Sequence, residues 1–157
     1  MDRTNWKFSN TNINILTLGI IYEGMAFPIV FKMMDKRGNS NTEERMELVQ
    51  RVISLAGKDS IAHLMADREF VGSEWLAFLN SRGRHYHIRI RENFRVITHG
   101  KEFKAHWLFA DLKLGECKHL SGIYYVNGQP CYLSGSKIKG KEGKPELHIL
   151  VSYCNAE

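Results

Sequence analysis

The period of hydrophobicity changes along the chain, and this change constrains the fold more than any other feature. Before His85, apolar residues recur at helical spacing in Glu43–Leu55 and in a segment that begins at Gly72-Ser73. From His85 onward the period is two, the pattern of a strand with one apolar and one cationic face. The alternating apolar residues are Tyr86, Ile88 and Ile90. The sequence therefore predicts α/β elements first and a β-rich part afterwards.

Short apolar segments predict the first strands. Asn14–Tyr22 and Met25–Met34 are separated by Glu23-Gly24, which predicts a β-hairpin with a tight turn. Pro28 predicts a bulge or an edge position in the second strand. Ile61–Ala66 predicts a further strand that runs into Asp67.

The first helix has recognisable ends. Asn41 can cap its first turn, and Glu44 three residues later completes a capping-box pattern. Gly57 is placed to end the helix. We expect Trp75, by its helical phase, and Trp6 to be core residues.

Residues 94–146 are predicted to be all-β, and Leu147–Tyr153 returns to a buried-strand pattern. Asn127-Gly128 between β-forming residues predicts a hairpin with a type I′ turn. The predicted fold class is α/β, a mixed sheet that carries a β-rich insertion. Within residues 1–157 we divide the chain into 1–93, an inserted region 94–146 and a returning core strand in 147–157.

Composition places this chain among ordinary globular domains. It has 157 residues, of which 25% are charged and 43% hydrophobic. The longest apolar run, Ile15–Tyr22, is far below the roughly 20 residues that cross a bilayer. Three cysteines are too few and too widely spaced for a disulfide framework. We expect a cytoplasmic protein with no membrane partner.

Positive charge is concentrated in the second half. Residues 1–81 hold 9 basic and 10 acidic residues, whereas residues 82–157 hold 13 basic and 7 acidic ones. A basic region of this kind suggests a polyanionic partner. Simple solubility is the alternative explanation.

Two acids are candidates by position. Asp67 follows an apolar strand, so its carboxylate is expected at the carboxyl edge of the sheet, where open α/β sheets place ligands. Asp2 lies just before the segment that leads into the first hairpin. Carboxylates on neighbouring strands suit Mg²⁺, which prefers oxygen ligands and serves phosphodiester chemistry. A helix cap or a turn is the alternative role for such an Asp.

Four motifs carry a resemblance to a known family. They are DRTNW at residues 2–6, DKRGNSNTEER at 35–45, ADREFVG at 66–72 and IRIREN at 88–93. In this order they resemble the DDE transposases of bacterial insertion sequences, most closely the insertion-sequence-4-like group, whose catalytic domain has the ribonuclease-H-like fold.

The resemblance implies a site and an activity. Asp2 matches the first catalytic acid and Asp67 the second, and both would be ligands of Mg²⁺ or Mn²⁺. The family implies metal-dependent DNA strand cleavage and strand transfer on double-stranded DNA at transposon ends, and it allows a homodimer of the full-length enzyme. The third acid, a Glu on a later helix, has no match in the sequence.

We therefore expect a piece of a transposase that is incomplete at both ends and inactive alone. A non-catalytic nucleic-acid-binding remnant is the alternative. A third interpretation, an unrelated small nuclease, needs a third acid near Asp2 and Asp67 in space. A core sheet that lacks half of a central strand would expose apolar edges, so we also expect aggregation.

Basic residues near the second acid are candidate DNA contacts. Arg89 and Arg91 lie on the strand after Asp67, and Arg84 and Arg95 extend the same cationic stretch. Phosphate contacts of this type position DNA without reading its sequence. A solvated strand face is the alternative.

Two further patterns in the sequence are weaker indications of a binding site. The lysines of residues 137–144 predict either a second clamp on DNA or a flexible charged loop. The pair His85-x-His87 suggests zinc only weakly, because no third ligand lies at metal spacing.

Overall fold

The computed structural model describes residues 1–153. The chain forms two compact units, Met1–Ala62 and one that begins at His63. Each unit is built around its own β-sheet. The predicted mixed α/β class is confirmed, and the described part of the chain is rich in strands. Within that part, the strands that the sequence assigned to one mixed sheet are divided between two sheets, because the first three strands pair only with one another.

The first unit is a three-stranded antiparallel sheet with one helix. Its strands are β1 (Asp2–Phe8), β2 (Thr11–Tyr22) and β3 (Met25–Met33), in the order β1-β2-β3. The predicted hairpin is confirmed, since Glu23 and Gly24 join β2 and β3 with φ values of 49° and 77°.

The irregularity predicted at Pro28 is also confirmed. Leu18 pairs with Val30 and the next residue, Gly19, pairs with Pro28, so β3 has one extra residue at this point. Pro28 can occupy such a position because it has no N–H to donate to the ladder, and β3 is an edge strand of the sheet.

Asp2 begins β1, which is an edge strand of the three-stranded sheet. One expectation about the beginning of the chain was wrong. Trp6 is not a core residue, because 46% of its surface is exposed. It pairs with Ile13, whereas the buried residues of β2, which are Asn14, Leu16 and Leu18, belong to the opposite face.

The helix α1 (Thr42–Ala56) confirms the predicted capping box. The Asn41 side chain accepts a 2.9 Å hydrogen bond from the Glu44 N–H, and the Glu44 carboxylate accepts a 2.8 Å bond from the Asn41 N–H. Gly57 ends the helix with φ of 92°, a conformation that favours glycine. The helix packs against β2 and β3 and buries Leu48, Val49 and Val52.

The second unit contains an eight-stranded sheet. Along it the strands follow the order β4-β5-β11-β10-β9-β6-β7, and β8 also pairs with β10. The strands are β4 (Leu64–Ala66), β5 (Tyr86–Ile90), β6 (Arg95–Thr98), β7 (Lys101–Lys104), β8 (Cys117–His119), β9 (Tyr124–Val126), β10 (Gln129–Lys139) and β11 (Pro145–Tyr153). Helix α2 covers Ser73–Ser81, and 3₁₀ helices cover Arg68–Phe70 and Ala105–Phe109.

Most predicted elements of this unit are confirmed. Strand β4 is shorter than the predicted Ile61–Ala66. The region 94–146 is β-rich as predicted, with one 3₁₀ helix inside it. The turn between β9 and β10 has φ of 50° at Asn127 and 77° at Gly128, as a type I′ turn requires.

The neighbouring strands β5, β11 and β10 make the two faces of the large sheet chemically different. One face is the core, and α2 and the second 3₁₀ helix contact strands of this sheet. Its buried side chains include Tyr86, Ile88, Ile90, Leu133, Ile149 and Val151. Trp75 of α2 is fully buried, which confirms its predicted core position.

Across residues 1–153 the structure contains no helix that is long and apolar enough to span a membrane.

Candidate nucleic-acid interface

Asp67 directly follows β4, the edge strand that runs parallel to β5. Its carbonyl accepts a 3.0 Å hydrogen bond from the Phe70 N–H, which closes a short 3₁₀ helix. Its side chain is exposed and forms no capping hydrogen bond with that helix. The carboxylate at this position is therefore free of the capping role that the sequence left open.

Three arginines meet beside this strand end. Arg68, Arg89 and Arg91 line a cavity of about 260 Å³, together with polar Glu92 and Asn93. Because β4 and β5 are parallel, their carboxyl ends lie at the same edge of the sheet, and this edge brings residue 68 to residues 89 and 91. Three cationic groups and one carboxylate make the cavity basic.

The three guanidinium groups are not used within the described chain. In residues 1–153, neither an ion pair nor a side-chain hydrogen bond involves Arg68, Arg89 or Arg91. Arg68 and Arg91 are exposed, and Arg89 is half-buried on β5. Each has donors left for an anion, and a planar guanidinium can bind a phosphate group in bidentate fashion.

The other two predicted DNA contacts lie elsewhere. Arg84 precedes β5, at the end of the strand away from the cavity, and its Nε is buried without a hydrogen-bond partner. Arg95 begins β6 and forms a 3.1 Å ion pair with Glu102, the residue that follows Lys101 on β7. The structure thus brings Arg89 and Arg91 together but not Arg84 or Arg95.

Sequence reasoning did not assign Arg68. The residue is part of the ADREFVG motif, but its neighbour Asp67 was given the functional role. The available signal was the strand end itself, because a residue just after a parallel strand lies at the same edge as the end of the next one.

Two of the four lysines of residues 137–144 have partners within the described chain, and Lys137 and Lys139 lie on β10 rather than in a loop. The Lys137 ammonium donates a 3.1 Å hydrogen bond to the carbonyl of Leu112, and Lys144 lies 3.4 Å from Glu142.

Asp2 belongs to the first unit. It is exposed on β1, pairs with Thr17 of β2 and accepts a 2.8 Å hydrogen bond at Oδ1 from the Arg3 N–H. Asp67 belongs to the second unit, so the pairing of these two acids stays a prediction. Among residues 1–153, no group of three or more His, Cys, Asp or Glu side chains is arranged to hold a metal ion.

A third histidine joins the His85-x-His87 pair. The ring of His63, which precedes β4, lies 5.5 Å from each of the other two rings, centroid to centroid. The His63 and His87 rings are stacked, with only 21° between their planes. Within residues 1–153, the three histidines do not belong to any group of three or more His, Cys, Asp or Glu side chains that could hold a metal ion.

No protein-family model matches the chain, and a search of curated proteins gives no match to it.

Proposed function

We propose that this chain belongs to the ribonuclease-H-like catalytic domain of an insertion-sequence DDE transposase, and that its second unit binds the DNA backbone. The observation that carries the proposal is that Asp67 and the arginine cavity lie at the same end of the sheet, where the parallel strands β4 and β5 finish. An acid beside a cluster of unused arginines is the combination that phosphodiester chemistry needs, because one group holds a metal ion and the others hold phosphate.

The order of elements also supports the proposal. Three antiparallel strands, a helix, a strand, a helix and a strand precede the β-rich region. The ADREFVG motif then lies at the end of β4, and the IRIREN motif covers the end of β5, so two of the four family motifs meet at one edge.

The residues at this edge have distinct roles in the proposed chemistry. Arg68, Arg89 and Arg91 hold the phosphates on either side of the reacting bond and fix the position of the strand. Asp67, an exposed carboxylate with no capping bond, fits a hard divalent ion, and Asp2 would be its second protein ligand. The ion, when bound, would activate the attacking oxygen and stabilise the leaving one.

The chain would not complete transposition by itself. With only two of the three family acids, the metal site lacks ligands and charge. The proposed activity is therefore DNA binding with a residual metal site, without strand cleavage. A strand-cleavage assay with Mg²⁺ or Mn²⁺ on a transposon-end duplex should stay at background.

A non-catalytic DNA-binding remnant is the second candidate. The arginine cavity favours it equally, since phosphate binding needs no metal. The two candidates differ only in whether Asp67 still binds an ion.

Metal titration tests the proposal. Binding of a labelled duplex is measured by fluorescence anisotropy over a range of Mg²⁺ concentrations, at constant ionic strength set with KCl. We expect a saturable gain in affinity with Mg²⁺ that is lost in Asp67→Asn. The control is Asp59→Asn, which removes the same charge from a loop of the other unit.

Two results would count against a residual metal site. Either DNA binding that ignores Mg²⁺ in the unmodified protein, or an equal Mg²⁺ response in both variants, would leave the non-catalytic remnant as the better description.

A further inference from the structure

The second face of the large sheet concentrates histidine. Side chains alternate along each strand, so the residues opposite the core share this face. We define the histidine face by His63, His85, His87, Arg89, His119 and His148. It holds five of the seven histidines of the chain.

Strand register places these residues on one surface. His87 pairs with Ser152 of β11, and Ser152 pairs with Tyr132 of β10. One row along, Arg89 pairs with Leu150, which pairs with Ser134, and Ser134 pairs with His119 of β8.

The face is accessible and offers flat rings. His63, His85 and His119 are exposed, and 43% of the surface of Tyr132 is accessible. His87 is half-buried and its Nδ1 lies 2.9 Å from the Ser152 hydroxyl, which fixes the ring. The ring of its stacked partner His63 lies 5.5 Å away, centroid to centroid, so the two rings lie next to each other on this side of the sheet.

The charges on this face favour an anion. Arg89 carries a guanidinium cation, and the histidines of this face add positive charge on protonation. Two acids on the strands share this face: Glu146 of β11, which lies 3.4 Å from His148, and Glu102 of β7, which forms an ion pair with Arg95. The free thiol of Cys117 on β8 belongs to the same face, because Cys117 pairs with Ser136 and Ser136 pairs with His148.

We propose that the histidine face binds single-stranded DNA, with bases stacked on its rings and phosphates on Arg89 and the protonated imidazoles. The proposal rests on the proposed function for its choice of DNA as the anion. Single-stranded DNA fits better than duplex, because a sheet face with exposed rings can stack unpaired bases but cannot reach the base edges inside a duplex groove. Arg89 also lines the arginine cavity, so the two surfaces are continuous.

Acidification should strengthen this binding. Burial, followed by the charges of His63 and His85, lowers the pKa of His87, so the free protein keeps this ring neutral at pH 7.5. A bound phosphate favours the protonated form and raises the pKa again. Binding therefore takes up protons, and affinity increases as pH falls through the imidazole range. A rise of half a pKa unit in one ring corresponds to about a threefold gain.

The test compares pH dependence for two DNA substrates. Anisotropy with labelled oligothymidine of 20 nucleotides and with a 20-base-pair duplex is measured at pH 7.5 and pH 5.5, at one ionic strength. Thymine does not titrate in this range. We expect oligothymidine affinity to increase at least about threefold at pH 5.5, and by more than duplex affinity.

Matched variants assign the effect to the histidine face. The double variant His63→Gln/His87→Gln should lose most of the increase in oligothymidine affinity between pH 7.5 and pH 5.5. The double variant His99→Asn/His106→Gln, which changes the two histidines outside the face, should keep it. If His87→Gln prevents folding, as judged by circular dichroism, His63→Gln/His85→Gln changes only exposed rings and gives the same comparison.

The outcomes separate this proposal from the proposed function. An equal pH gain in the two double variants, or an equal gain for duplex and oligothymidine, overturns the single-strand face and leaves the metal titration of Asp67 untouched. The single-strand proposal is supported if the increase in oligothymidine affinity at pH 5.5 is lost only in variants of the histidine face. This holds even where Asp67→Asn has no effect on the Mg²⁺ response.

Discussion

At the scale of the residue, the two tryptophans show what a sequence pattern can and cannot determine. Trp75 lies on a helix with other apolar residues at helical spacing, and the helix must bury that stripe, so its position followed from the sequence. Trp6 shares the apolar face of an edge strand with Phe8, so local alternation favours its burial, but the buried residues of β2 lie on the opposite face of the sheet. Only the packing of α1 on the sheet decides which face is buried. That packing is not encoded locally.

Gly135 makes a residue-scale prediction. A Cβ at this position would lie 2.5 Å from the ring of Phe109, which is itself buried, so neither side can move away easily. We expect Gly135→Ala to lower the free energy of unfolding by about 1–3 kcal/mol, as overpacking of a core does. Urea denaturation followed by circular dichroism measures this.

Gly140→Ala is the matched control for that substitution. Its Cβ would meet only the exposed side chain of Glu146, which can rotate away. A loss of stability as large in Gly140→Ala as in Gly135→Ala would contradict the close packing of Phe109 on β10.

At the scale of the element, local signals were sufficient for boundaries and turns. The capping box at Asn41 and Glu44, the glycine at position 57 and the Asn127-Gly128 turn all lie where their chemistry indicates. Each depends on residues within a few positions of one another. The predicted range of strand β4 was too long, because an apolar run does not show where pairing with β5 stops.

The cap of α1 makes an element-scale prediction. Asn41→Ala removes the acceptor of the Glu44 N–H, and we expect a loss of about 1 kcal/mol in the free energy of unfolding. Asn41→Asp keeps an acceptor and should retain most of the stability. Thermal and urea denaturation of both variants check this, and equal stability of Asn41→Ala and the unmodified protein would contradict a functional cap.

The direction in which pH changes the stabilisation of the helix by Glu44 follows from the partners of its carboxylate. Burial raises the pKa of this carboxyl, but the hydrogen bonds from Lys36 and from the Asn41 N–H and the charges of Lys36 and Lys32 outweigh it and lower the pKa. The carboxylate therefore stabilises the helix above its ordinary pKa range, and this stabilisation is lost as pH falls through the lowered value.

At the scale of the whole molecule, pairing between distant segments was the part that the sequence could not provide. Strand β11 lies between β5 and β10, and this placement creates both the core face and the histidine face of the large sheet. The cavity of Arg68, Arg89 and Arg91 likewise depends on the parallel pairing of β4 with β5. Residue patterns indicated basic strands but not which arginines would meet.

Large apolar side chains are exposed on the sheet of the first unit. Exposed large side chains of its sheet include Phe8 (71%), Met33 (65%), Tyr22 (63%) and Phe31 (58%). Surfaces of this kind favour association, and β1 and β3 are edge strands. Aggregation itself stays a prediction.

The most direct test of the central claim is the salt dependence of duplex binding. Each phosphate contact adds roughly 0.9 to the slope of log affinity against log salt concentration. We predict that Arg68→Ala/Arg89→Ala/Arg91→Ala lowers the magnitude of this slope by about 2.7. The control Arg37→Ala/Arg51→Ala/Arg82→Ala, which removes the same charge outside the cavity, should leave the slope near that of the unmodified protein. Equal slopes in the two triple variants would contradict a phosphate-binding role for the arginine cavity.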